Sequence, residues 1–177
     1  ALDIAREMPS RSAALCGDQS YMECLSARKT VWEEQQEAAE RHYDRSAGCR
    51  FTTLHAYEYT ATPRLAKIHH NVIFRNANVP VSPIAWIDTP DIDDLFEALR
   101  EQCLDAGIGC DVLTLPHNSN LSNGNMFAIT GKDLPLEVQR ARATLRRDIE
   151  RIAEITQIKG DSECRNGFAS VIGGTDE

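Results

Sequence analysis

No apolar run in this chain approaches the ~20 residues that a helix needs to cross a bilayer, so a membrane-spanning helix is excluded. No basic-then-apolar segment stands at its start, and any export signal is expected to have been removed or never present. Cys-x-x-Cys is missing as well. None of the six cysteines (Cys16, Cys24, Cys49, Cys103, Cys110, Cys164) stands at the Cys/His spacing of a structural zinc site. A basic face is absent: 19 Lys and Arg face 27 Asp and Glu, giving a net charge of −8 and a pI near 5.1. The one arginine-rich stretch, Arg140, Arg142, Arg146, Arg147 and Arg151, is interleaved with Glu137, Asp148, Glu150 and Glu154. It reads as a solvated helix face, and neither nucleic acid nor a membrane is expected as a partner. Internal repeats and low-complexity segments are also lacking.

What is present suits one α/β domain over residues 1–177. Hydrophobic residues at 42% and charged residues at 26% are ordinary for a globular core of this size. An even cysteine count permits disulfides, and Cys16–Cys24 and Cys103–Cys110 are close in sequence. Buried free thiols are an equal alternative, and the compartment, cytoplasm or periplasm, stays open.

The pattern of elements begins with a helix from about Ser26 to Tyr43, where Val31, Trp32, Gln35, Ala38 and Ala39 fall at helical spacing and Gly48 is the stop. Phe51 to Thr60 reads as a strand, and His69 to Arg75 as a second. Residues 77–90, with Pro80, Pro83 and Pro90, form an extended connection. From Asp91 to Ala106, Ile92, Leu95, Phe96, Leu99 and Cys103 recur at three- and four-residue steps, predicting an amphipathic helix. A strand at 111–115, a long helix from about Leu134 to Ala153 and a last strand at 154–159 follow. Strand–helix alternation implies mainly parallel strands covered by helices, with the strand ends on one rim.

The stretch Pro116-His117-Asn118-Ser119-Asn120-Leu121-Ser122-Asn123-Gly124 carries the most information. It follows an apolar strand and consists almost wholly of turn formers. A histidine held at a strand end is where α/β folds place chemistry. Glu58 near the end of the first strand, His69 opening the second, and Asp161 and Glu163 after the last fall at such ends too. Two imidazoles and carboxylates on one rim suit Zn²⁺, Mn²⁺ or Fe²⁺, and such an ion activates water. Each residue also has a plainer reading. Adjacent strand residues face opposite sides, so His70 has a weaker claim than His69. Arg75 fits a surface salt bridge, His42 an exposed helix position and His55 a structural one. Glu58, between Tyr57 and Tyr59, must be paired with a cation or ligate one.

Four segments together resemble a known family: Phe51 to Pro63 with its Tyr-Glu-Tyr-Thr core, His69-His70-Asn71-Val72-Ile73-Phe74-Arg75-Asn76, Pro116 to Gly124, and Gln157-Ile158-Lys159-Gly160-Asp161-Ser162-Glu163-Cys164. They are similar to a bacterial domain-of-unknown-function family, number 3604, itself resembling a distant branch of the PHP (polymerase and histidinol phosphatase) metallohydrolases. The resemblance implies a partial or distorted β/α barrel with a metal cluster at its strand ends. Glu58, His69 and His117 would be the ligands. PHP sites also use His-x-His and Asp-x-His pairs, which this chain lacks, so it is expected to be a central part of a longer barrel. Three ligands can still hold one zinc with an open position. The implied function is a metal-dependent hydrolase of phosphoesters, a small-molecule substrate contacted by Asn118, Asn120 and Arg75. The competing expectation is a non-catalytic α/β module that binds a ligand or partner with its loop rim. Unpaired strand edges would invite self-association.

Overall fold

A computed structural model describes residues 10–17, 21–129 and 131–157. Helix α1 (Ala13–Cys16) and helix α2 (Met22–His42) come first, joined by a Cys16–Cys24 disulfide. Strands β1 (His55–Ala61) and β2 (Ile68–Phe74) follow, then helix α3 (Ile92–Leu99), strand β3 (Val112–Pro116) and helix α4 (Leu136–Ile149). Helix α2 stops at His42, well before Gly48, and the Asp44 carboxylate then collects the backbone N–H groups of Ser46 and Arg50 into a turn. A hydrogen bond from the Ser46 hydroxyl, followed by those two backbone bonds, holds the Asp44 carboxyl down at about 2.

The three strands form one antiparallel sheet in the order β1-β2-β3. The expectation of a mainly parallel, barrel-like sheet covered by helices is therefore corrected: among the described residues there is no barrel and no parallel pair. Only residues 62–67 separate β1 from β2, whereas a parallel crossover needs a dozen residues or more and usually a helix. The turn closes through Pro63–Leu65, where Arg64 and Leu65 both take positive φ. Strand–helix alternation in fact held for one connection alone, β2–α3–β3, and there too the chain returns antiparallel. Residues 154–157, expected to begin a fourth strand, are irregular, and 158 and 159 lie outside the described residues.

Alternation along the strands sorts the sheet into two faces. On one, Tyr59, Ala61, Ile68, Val72, Phe74 and Val112 are buried with Trp32 of α2, Leu95, Phe96 and Leu99 of α3, and Ile149 of α4. Trp32 packs edge-on to Tyr57 with ring centroids 5.8 Å apart, and its indole N–H donates to the carbonyl of Pro80. The other face, bearing Glu58, Thr60, His69, Asn71, Ile73, Leu113, Leu115 and His117, is partly open.

Helix α3 opens on an Asp91 cap, whose side chain accepts from the Asp93 N–H. It then widens into a π-helical turn, Arg100–Leu104, in which the Asp105 N–H reaches the Arg100 carbonyl. A second disulfide, Cys103–Cys110, ties this turn to the start of β3. Cys49 is a free, exposed thiol, and Cys164 lies outside the described residues.

Candidate functional site

Antiparallel pairing brings the candidate residues together. In a parallel sheet, His69, near the start of β2, would stand on the rim opposite His117, which follows the end of β3, while Glu58 is the middle residue of β1. Reversing β2 sets His69 beside His117 at one rim, with Glu58 one step inward on the same face. Thr60 is directly opposite His69 across β1 and β2, with Glu58 diagonal to it. His117 continues the row, its N–H donating to the His69 carbonyl at 3.0 Å. Four polar side chains from three strands thus occupy the same open face.

Their contacts are specific. The Nδ1 of His69 lies 2.7 Å from Oε1 of Glu58 and 3.0 Å from Oγ1 of Thr60, and the Thr60 hydroxyl also donates to Glu58 at 3.0 Å. A proton on Nδ1 directed at the carboxylate leaves the lone pair of His69 on Nε2, the tautomer suited to a base or a ligand. Glu58 is 46% exposed at its side chain and His69 only 16%, so water tempers the attraction but the ring is held. The His117 ring sits with its centroid 5.5 Å from that of His69, and its Nδ1 is buried with no hydrogen-bond partner among the described residues.

In kind, these donors fit a borderline divalent cation: one carboxylate and two imidazoles, one of them with an orphaned ring nitrogen. In arrangement the set is partial. Glu58 and His69 are bonded to each other, and among the described residues no group of three or more His, Cys, Asp and Glu could hold a metal ion. Asp161 and Glu163 lie outside the described residues.

The remaining candidates divide. Asn118 is 7% exposed and fully engaged: its N–H donates to the Glu154 carboxylate, its amide donates to the Ile155 carbonyl, and its oxygen accepts from the Asn120 N–H. It pins the 151–157 segment against the end of β3, where the Glu154 N–H also meets the Pro116 carbonyl. Asn120 caps this small turn through its backbone. Arg75 is not brought to the cluster. It follows the far end of β2, six residues and about 20 Å from His69, and pairs with Asp111 at 3.3 Å on the surface.

His70 points to the opposite face, as alternation requires. It is fully buried, and its Nε2 lies 3.0 Å from Oε2 of Glu150, which also accepts from Nε of Arg146 at 2.8 Å. Burial alone would raise the Glu150 carboxyl, but hydrogen bonds and charge from His70 and Arg146 outweigh it and hold it below its ordinary value. Neither this buried triad nor Thr60 stood out in the sequence. Thr60 could have been found from its i, i+2 spacing to Glu58; Glu150 could not, because its partner is 80 residues away.

Neither a curated protein nor a solved structure matches this chain. One family profile does, over residues 2–176, nearly the full length: it is described as a protein of unknown function (DUF3604). The chain belongs to that family.

Proposed function

We propose that the open face of the sheet is part of a metal-dependent hydrolytic centre for phosphoesters, in the manner of the PHP metallohydrolases that the sequence resembles. The observation that carries this reading is that His69 contacts both Glu58 and His117 on one face of the sheet, with the His117 Nδ1 buried and without a hydrogen-bond partner among the described residues. His69 and His117 would hold the ion, and Glu58, with Thr60, fixes the tautomer and orientation of His69. A bound Zn²⁺, Mn²⁺ or Fe²⁺ would supply Lewis acidity toward water and a phosphoryl oxygen. With His69 and His117 holding the ion, the half-exposed Glu58 carboxylate would be the group placed to take the proton that the attacking water gives up. Asn120, in the turn that follows β3, would be the residue placed to contact substrate.

A second reading is favoured by the partial donor set among the described residues: a non-catalytic face that binds a polar ligand or partner. Metal analysis after dialysis, paired with hydrolysis of p-nitrophenyl phosphate in added Zn²⁺ or Mn²⁺, separates the two. Near-stoichiometric metal that falls in His69→Ala and His117→Ala, together with metal-dependent turnover, supports the hydrolase. Protein that stays metal-free in added Zn²⁺ and Mn²⁺ and shows no turnover leaves the binding face.

A further inference from the structure

A helix that packs on a core normally turns apolar residues toward it; α4 does so with Leu145 and Ile149, yet its stripe toward α3 carries arginines. The stripe of α4 that includes Arg142 and Arg146 faces α3. Arg142 reaches Asp93 at 3.0 Å, and the Arg146 guanidinium lies 5.6 Å from the centre of the Phe96 ring. Arg140 joins them in lining a cavity of about 390 Å³ between α4, Asp93 and the segment that carries Phe127 and Ile129. Its volume lies in the range of small-molecule sites.

The charges do not close. Three guanidiniums meet two carboxylates, Asp93 on Arg142 and Glu150 on Arg146, and Arg140 has no ion pair among the described residues. Arg142 gives Asp93 one of its five N–H donors, which leaves others directed elsewhere. An excess of positive charge in one cavity of a chain with net charge −8 does not follow from composition. The opposite wall is apolar and exposed, Phe127 at 51% and Ile129 at 75%. A cationic wall facing an apolar one matches a ligand with the same two halves.

We propose that this cavity binds a small organic anion, its carboxylate or phosphate held by Arg140 and Arg142 and its apolar group laid against Phe127 and Ile129. The site lies on the covered side of the sheet, away from His69 and His117, and is independent of the hydrolase reading.

Isothermal titration of the whole protein with octanoate and with phenyl phosphate tests it, and the arm that binds identifies the headgroup. Saturable binding of either probe is expected, about tenfold weaker in Arg140→Gln, consistent with one charge-assisted hydrogen bond lost. Phe127→Ser should also weaken it, whereas Arg147→Gln and His117→Ala should leave it unchanged. Arg140 and Phe127 are exposed, so both variants should fold, which unchanged melting temperatures would verify. Failure of both probes to bind overturns the proposal. So does inorganic phosphate binding as tightly as phenyl phosphate, or binding that survives Arg140→Gln and is lost in His117→Ala.

Discussion

Replacing Glu150 with glutamine tests how the helical layer is fastened to the sheet. Its carboxylate bridges His70, at zero exposure, and Arg146, with only 8% of its own side chain accessible. Removing one member of a buried ionic group leaves the others desolvated and unpaired, at a typical cost of 3–5 kcal/mol. Arg146 keeps some access to water, at 24%, and glutamine preserves one hydrogen bond, so about 2–3 kcal/mol is expected at pH 7. The sign of the pH dependence follows from the lowered carboxyl. Its stabilisation is fully present above the unfolded value, about 4.3, and is lost as pH falls through the folded value. Urea unfolding without reductant, at pH 7 and at pH 3.5, should show a large gap between wild type and Glu150→Gln that narrows in acid. Equal midpoints at pH 7, or a gap that widens in acid, would refute the bridging role.

Other consequences can be measured directly. Peptide mapping of unreduced protein should recover Cys16 linked to Cys24 and Cys103 linked to Cys110, and replacing either pair by alanine should cost about 2 kcal/mol for so short a loop. Recovery of Cys103 and Cys110 as free thiols from protein folded in air would count against the second bridge. Trp32→Ala removes a side chain only 2% exposed and should lower stability by about 3–5 kcal/mol in a urea melt. Glu58→Gln should leave the melt nearly unchanged, because the Glu58 side chain is 46% exposed, but weaken Zn²⁺ binding about 10–100-fold if the carboxylate orients His69; unchanged affinity would remove Glu58 from that role.

Much of the local structure was legible in the amino-acid order. The period of Leu95, Phe96, Leu99 and Cys103 marked α3, and alternation separated His69 from His70 correctly, one to the open face and one to the core. The helix starting near Leu134 and the three strands also fell close to their observed places. The fourth strand did not, since an Ile-Thr-Gln-Ile run is as compatible with an extended strap as with a strand. Hydrogen bonds from Asn118 and Glu154 hold residues 154–157 as such a strap. Arg75 was placed near the site by its chemistry alone; its position six residues along β2 from His69 puts it at the other rim.

Strand identity and facing are written within a few neighbouring residues, because side chains alternate with a period of two and helices repeat at 3.6. Pairing direction is not. It depends on how a six-residue connection and a much longer one return the chain, and on which arrangement buries Val72, Phe74 and Leu95 together. That choice turned an expected parallel barrel into an antiparallel sheet, and the same choice set His69 beside Glu58 and His117. The buried bond between His70 and Glu150 and the arginine-lined cavity under α4 belong with it, since both join residues far apart in the chain and exist only once the layers have packed.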